Sequence, residues 1–239
     1  TTASGSSAFA VGNDNLASGS SSTALGRGTI ASGDDSTAMG ANTEASGEYS
    51  TAMGDRTKAI GDFSTAMGSD TEANGGASTA MGYKTLASNG PSFAIGYMTA
   101  ATGAISTSMG QHTFASGELS TALGYYTKSS DRTSLVIGEY NLAGSTVTNS
   151  ATDFSLENTA FVIGNGTDEN NRSDALTVLF DGTTTIAGDL NVNSDARLKS
   201  NIISLGGTLT KLLQIDGKSY TMKKDESEKQ KIGLLAQDI

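Results

Sequence analysis

A serine and a lysine in the phrase SDARLKSNI, Ser194 and Lys199, are of the types that can form a nucleophile and its base. A serine hydroxyl attacks a carbonyl only when a base accepts its proton, and lysine is such a base only when burial or a nearby positive charge lowers the pKa of its amine. Arg197 could supply that charge. Alternatively, Ser194 caps a helix that begins at Asp195 while Lys199 is solvated, and the local residues alone favour this structural role.

Elsewhere the chain has few groups suited to catalysis or metal binding. It has no Cys and a single His, His112, so neither a His-based triad nor a zinc site can form within one chain. We expect His112 to be a solvated residue in a connector. Asp168, Glu169 and Asp174 could ligate calcium, but their spacing fits no EF-hand, and a solvated loop is the simpler interpretation. We expect no metal and no cofactor.

Charge is distributed unevenly between the start and the end of the chain. Residues 1–194 contain seven basic and 19 acidic residues, a formal charge of −12, within a total of −10 for the 239 residues. An acidic surface repels nucleic acid and anionic lipid, so we expect neither as a partner. No run of apolar residues is long enough for a transmembrane helix, and we expect no membrane contact by this segment.

Glycines recur every 14 residues along the first 138 positions, and this period predicts a solenoid. A second set lies midway, so each unit is two copies of the phrase [S/T]-x-A-x-G-x-x. We expect coils of two short parallel strands and two turns, with Ser and Ala facing the interior and Gly at the corners with positive φ. A column of threonines from Thr29 to Thr127 should also face inward. The glycines of the first set are Gly12, Gly26, Gly40, Gly54, Gly68, Gly82, Gly96, Gly110, Gly124 and Gly138.

One outward column of the predicted solenoid is apolar throughout, whereas its counterpart on the second strand is mostly polar. Because alanine already fills the interior, the large side chains have no place within their own chain. An exposed patch of this size is unusual for a soluble monomer, so we predict that copies associate along their length. A metal site built from the methionines has no other support. The predicted interface residues are Val11, Leu25, Met39, Met53, Met67, Met81, Ile95, Met109, Leu123 and Ile137.

Three departures from the repeat are visible. Asn89 takes a corner position before Gly90 and the only proline, Pro91, which predicts an altered turn. Glycines 138 and 164 are 26 residues apart instead of 14, because a polar insertion separates them; we expect an exposed loop or an inter-chain strap. The phrases ALTVLF and TTTIAG then predict a hairpin around Asp181–Gly182.

The S-x-A-x-G phrase at this period resembles the head of YadA-like trimeric autotransporter adhesins, over roughly residues 3–138. The resemblance implies three left-handed parallel β-rolls packed about a common axis, hence a homotrimer. It also implies that the head binds a surface ligand, such as a host matrix protein or a glycan.

The phrases SDARLKSNI and IGLLAQDI resemble the S74 peptidase family, the intramolecular chaperone of phage tailspikes and endosialidases. The resemblance implies that Ser194 and Lys199 form a dyad that releases the chaperone by self-cleavage, either before Ser194 or between Ser194 and Asp195. Members of that family continue into further helices, so we expect this module to extend beyond Ile239. Leucines at helical spacing, from Leu205 to Leu213, predict a helix here, and KSYTMK predicts a strand.

The sequence as a whole predicts an all-β, homotrimeric β-roll of 14-residue coils with a β-rich connector and a small α+β chaperone segment. The expected domains are residues 1–138, 139–193 and 194–239. We expect an extracellular adhesin or fibre at a cell surface, matured only by autoproteolysis. The alternatives are a phage tail fibre with the same chaperone and an ice-binding solenoid.

Overall fold

A computed structural model describes residues 1–142 and 150–189, together with the backbone of two short strands in the C-terminal segment. The chain divides into two compact units, Thr1–Leu190 and Asn191–Ile239. The described residues form strands and turns and contain no helix. The predicted all-β fold of 14-residue coils is therefore confirmed.

Each coil contains one strand of two residues and one of five, which alternate along the chain. Among the first 20 strands, the odd-numbered ones form a ten-stranded parallel sheet, and the even-numbered ones form most of the parallel part of a 13-stranded sheet. In chain order, β1 to β20 are Thr2–Ala3, Phe9–Asn13, Leu16–Ala17, Thr23–Arg27, Ile30–Ala31, Thr37–Ala41, Glu44–Ala45, Thr51–Asp55, Lys58–Ala59, Thr65–Ser69, Glu72–Ala73, Thr79–Tyr83, Leu86–Ala87, Phe93–Tyr97, Ala100–Ala101, Thr107–Gln111, Phe114–Ala115, Thr121–Tyr125, Lys128–Ser129 and Leu135–Glu139.

Adjacent coils stack in register at the sequence period. Thr65 pairs with Thr79, and Met67 pairs with Met81, so each side chain lies beside its equivalent in the next coil. Identical neighbours pack without steric conflict because strands in a sheet are about 4.8 Å apart. The period of the sequence is thus the period of the structure.

Small side chains fill the interior, as predicted. In one coil Ser64, Ala66, Thr71 and Ala73 are all buried, and their equivalents are buried in nearly every other coil. The threonine column from Thr29 to Thr127 is 0–1% exposed. Its hydroxyls therefore cannot contact ice from this position, which removes the observation that suggested an ice-binding solenoid.

The corners differ from the prediction in which residues adopt the left-handed conformation. Glycines of the first set have φ between 99° and 132°, as expected, but those of the second set lie outside the positive-φ region. The left-handed residues stand two positions after each glycine and include Ser7, Asp14 and Phe63. The next coil excludes a side chain at both sets: a Cβ would lie 2.2 Å from the Gly75 carbonyl oxygen at Gly61, and 1.9 Å from the Gly68 carbonyl oxygen at Gly54.

The altered turn at residues 89–91 is confirmed. Gly90 has φ +46°, and the amide of Ser92 donates to the Gly90 carbonyl at 2.8 Å. The side chain of Asn89 donates to the carbonyl of Thr102 at 2.6 Å. This bond ties the irregular turn to the next coil, so the sheets continue through it.

After the insertion the chain returns to the same sheet. Strand β21, Thr159–Asn165, pairs parallel with β20, and β22, Asp174–Leu179, pairs antiparallel with β21. Strand β23, Thr184–Ile186, completes the predicted hairpin, with Gly182 at φ +87° in its turn. The described part of the insertion is largely exposed, and its carbonyls at Ser150 and Ala151 accept backbone hydrogen bonds from two corners of the roll.

The C-terminal unit contributes two described strands. Strand β24, Lys218–Tyr220, pairs antiparallel with β25, Lys231–Gly233. The first confirms the strand predicted from KSYTMK. The helix predicted from Leu205, Leu209, Leu212 and Leu213 lies outside the described residues.

Candidate functional site

The predicted apolar column lies on the outer face of the 13-stranded sheet, opposite the alanine interior. Successive members are register partners, for example Met39 with Met53 and Ile95 with Met109. Val11 at the start is 51% exposed and Met109 is 39% exposed, while the members between them are partly exposed. The orientation predicted for these ten residues is thus observed, and their role in an interface remains a prediction.

The column continues beyond the ten predicted residues. Ile137 pairs with Ile163, which pairs with Leu176, which in turn pairs with Ile186. We call these thirteen side chains the apolar seam. A search at 14-residue spacing misses the last three, because the insertion shifts Ile163 and the hairpin reverses the chain direction.

The neighbouring column on the same face is mostly threonine. Its threonines are half-buried, and larger side chains replace them at Phe9, Phe93 and Leu135. The outer face of the other sheet differs, because the column there that corresponds to the apolar seam is mostly serine. The two faces of each roll are therefore chemically distinct, and only one has a continuous apolar surface.

An aromatic corner follows the long strands over the last five coils, and sequence reasoning did not identify it. Tyr83 stacks on Tyr97 with ring centroids 5.0 Å apart, and His112 stacks on Tyr126 at 4.3 Å. Tyr126 stacks in turn on Tyr140 at 4.7 Å. The expectation of a solvated His112 was wrong, because its half-buried ring lies between Tyr97 and Tyr126. Aromatic residues 14 positions apart are the signal that could have revealed this corner.

The base of the aromatic corner is tied to the loop before β22. The guanidinium of Arg172 lies 5.6 Å from the Tyr140 ring centroid and donates to the carbonyl of Tyr126 at 2.9 Å. A hydrogen bond to Tyr125, together with burial, raises the pKa of the Tyr140 phenol to about 12. Each of these rings contacts the ring of a neighbouring coil, so the corner contributes to the stacking of the coils.

The corresponding corner in the N-terminal half is charged. Arg56 donates to both carboxylate oxygens of Asp70, at 2.7 and 3.0 Å, and its guanidinium also pairs with Asp55. The hydrogen bond from Arg56 lowers the pKa of the Asp70 carboxyl. Surface ion pairs of this kind contribute little to stability, and we assign this pair no functional role.

Two of the three candidate calcium residues, Asp168 and Asp174, are engaged in loop hydrogen bonds. Asp168 accepts from the Asn171 side chain at 2.8 Å and from the backbone amides of Asn170 and Asn171 at 2.9 and 3.0 Å, and these hydrogen bonds, the first above all, lower the pKa of its carboxyl. Asp174 accepts from the amide of Leu142 at 2.7 Å. Within residues 1–142 and 150–189 there is no group of three or more His, Cys, Asp or Glu that could hold a metal. The loop interpretation therefore accounts for both side chains.

The predicted catalytic and cleavage residues Ser194, Asp195 and Lys199 lie outside the described residues. Their proximity and their protonation states remain predictions from the sequence. Among the described residues, no helix has the length and apolar character needed to cross a membrane.

Comparison with protein families gives two matches. The YadA head domain repeat matches residues 3–29, 31–57, 59–85 and 115–138. The chaperone of endosialidase, peptidase S74, matches residues 194–239. No curated protein matched the chain. Both resemblances predicted from the sequence are confirmed, and the coils left unmatched are those around the altered turn.

Proposed function

We propose that this chain forms a homotrimeric fibre that binds a surface ligand outside the cell. The chain carries YadA head repeats followed by an S74 chaperone segment. The fibre belongs to a bacterial surface as an adhesin or, as the second candidate, to a phage tail. Both kinds of fibre present a repetitive shaft to a target surface. The full-length gene distinguishes them, since an outer-membrane anchor and a virion-attachment domain differ in sequence.

The apolar seam is the observation that carries this proposal. Thirteen large apolar residues form one outward column, and the interior beneath is already filled by buried alanines. A soluble monomer rarely leaves so extended an apolar surface in water, whereas a partner buries it at about 25 cal/mol per Å². The similarity to YadA heads favours three copies over two.

Light scattering with size-exclusion chromatography tests the assembly. We expect a particle three times the 24.2 kDa chain mass. A soluble monomer or dimer at micromolar concentration would contradict the proposal.

We propose that the C-terminal segment guides assembly and then releases itself. Ser194 Oγ attacks the carbonyl carbon of a peptide bond beside it, and Lys199 accepts the hydroxyl proton. The amine leaves with a proton, and water then hydrolyses the ester and regenerates the serine. Both the bond before Ser194 and the bond between Ser194 and Asp195 remain candidates. Support comes from the S74 match, which begins at Ser194.

Mass spectrometry of the full-length gene product tests this step. We expect one cut beside Ser194, and none in the Ser194→Ala or Lys199→Ala variant. The conservative Lys199→Arg variant should also remain uncut, because guanidinium does not give up its proton. Cleavage of the Ser194→Ala variant at the same bond would show that an outside protease is responsible.

A further inference from the structure

An open surface cavity of about 260 Å³ lies on the outer face of the ten-stranded sheet, the face without the apolar seam. Phe114 and Lys128, register partners on β17 and β19, line one side. Thr102, Ser116 and Ser130 line the other, each two residues beyond the first position of a short strand. The cavity thus combines an aromatic ring, a cation and three hydroxyls of one chain.

The aromatic ring and the cation are both available to a ligand. Phe114 is 42% exposed and, unlike the tyrosines of the aromatic corner, has no ring contact with any described residue. Lys128 makes no ion pair within the described ranges. Asp174, which bonds the backbone one coil beyond Lys128, is engaged by the amide of Leu142.

The backbone that carries Lys128 is held in place. Its amide donates to Asn141 Oδ1 at 2.7 Å, and its carbonyl accepts from Asn141 Nδ2 at 3.0 Å. Asn141 is fully buried, at the position where preceding coils have threonine. A fixed backbone lowers the entropy that a lysine at a binding site must lose.

A second lysine in the same column provides a contrast. Lys58 has Glu44 and Glu72 as its register partners, so acidic residues lie on both sides of it. Lys128 has Phe114 on one side. In an acidic protein, Lys128 is therefore a local positive position beside an exposed ring.

We propose that this cavity binds one carboxylate-bearing sugar residue of a surface glycan. Lys128 Nζ pairs with the carboxylate, the Phe114 ring packs against sugar C–H groups, and the hydroxyls bond to sugar hydroxyls. The volume is below the roughly 300 to 1,000 Å³ of pockets for drug-sized ligands, which suits a single ring better than a folded peptide. The inference rests on the proposed adhesive function and names its ligand class.

Saturation-transfer NMR on the whole protein tests the site with sialyllactose and trigalacturonate, and with lactose as the neutral comparison. We expect millimolar binding of one or both acidic sugars and at least tenfold weaker binding of lactose. Which acidic sugar binds identifies the source of the carboxylate. Lys128→Met should weaken acidic-sugar binding about tenfold, the effect of losing one charge-assisted hydrogen bond. The matched control Lys58→Met should leave it unchanged.

Four outcomes would overturn the proposal. They are no binding of either acidic sugar at about 10 mM, equal binding of lactose, equal loss in both lysine variants, and displacement of the sugar by an acidic peptide at lower concentration. Light scattering on the same samples separates this result from the proposed function. A trimer that binds none of the sugars refutes the ligand class while leaving the assembly intact.

Discussion

At the scale of the residue, close approach between coils decides which positions must be glycine. Glycines of the second set do not have positive φ, so their backbone conformation does not by itself require glycine. A Cβ at these positions would nevertheless overlap the backbone of the next coil. Packing thus constrains both glycines of the phrase, and positive φ is a second constraint at the first set alone.

Gly61→Ala is therefore expected to lower the free energy of unfolding by more than about 3 kcal/mol, since its methyl group would meet a backbone carbonyl that cannot move aside. Gly76→Ala is the control. It is exposed, and its Cβ would make only an ordinary contact, 3.9 Å from the Asp62 carbonyl oxygen, so we expect a change within about 0.5 kcal/mol. Thermal unfolding followed by circular dichroism measures both. Equal effects would contradict the close-approach explanation.

The phenol of Tyr140 should link stability to alkaline pH. Its pKa of about 12 in the folded chain exceeds the ordinary value of 10.0, so the neutral form is favoured by folding. The resulting stability is fully present below pH 10 and is lost as pH rises towards 12. Absorbance titration at the tyrosinate band should show a late phase that urea or the Tyr140→Phe variant removes. A late phase retained in Tyr140→Phe would show that another tyrosine is responsible.

At the scale of the element, the two sheets have opposite demands on their outer faces. The long strands contribute the continuous apolar seam, whereas the outward positions of the short strands are apolar in some coils and charged in others along the sheet. A charge should thus be tolerated on one sheet and harmful on the other.

Met67→Asp is expected to prevent assembly or to cost several kcal/mol per trimer, because three unpaired carboxylates would enter one apolar interface. Ile60→Asp is the matched control, since Ile60 directly follows β9 of the other sheet and is 43% exposed. We expect Ile60→Asp to leave both the particle mass and the melting temperature nearly unchanged. An unchanged melting temperature for Met67→Asp would count against the seam as an interface.

The elements were predictable to the extent that they repeat. The period alone fixes the coils, the buried alanines and the outward methionines. The left-handed corner residues were not predictable, because they include Ser7, Phe63 and Ile105, which share no chemical feature. Asp131 was also missed: it takes a glycine position, and its carboxylate accepts from the amide of Thr159 across the insertion at 2.8 Å. Such a contact depends on where the chain returns, which no local pattern encodes.

At the scale of the whole molecule, the proposed self-cleavage would make assembly kinetically irreversible. Under this proposal, the shaft folds while its chaperone is attached and lacks the chaperone after cleavage. After cleavage, a denatured shaft should therefore fail to refold, although the intact trimer resists unfolding through a high kinetic barrier.

Refolding of cleaved and uncleaved full-length protein tests this idea. After dilution from guanidinium, we expect the Ser194→Ala protein to recover its trimer mass and the cleaved shaft to recover little of it. Equal recovery would mean that the shaft assembles unaided and that the C-terminal segment has another role.

The repeated strand STAMG, which occurs identically in four successive coils, leaves the chain with an ambiguity of position. A strand that pairs one coil too early or too late meets the same residues. Strand pairing alone therefore does not distinguish the correct register from a register shifted by one coil. The irregular features do distinguish the register. Asn15 and Asn141 lie at the two ends of the threonine column, and the altered turn at residues 89–91 lies between them. These unique positions therefore define which coil pairs with which, and so set the register of the whole solenoid.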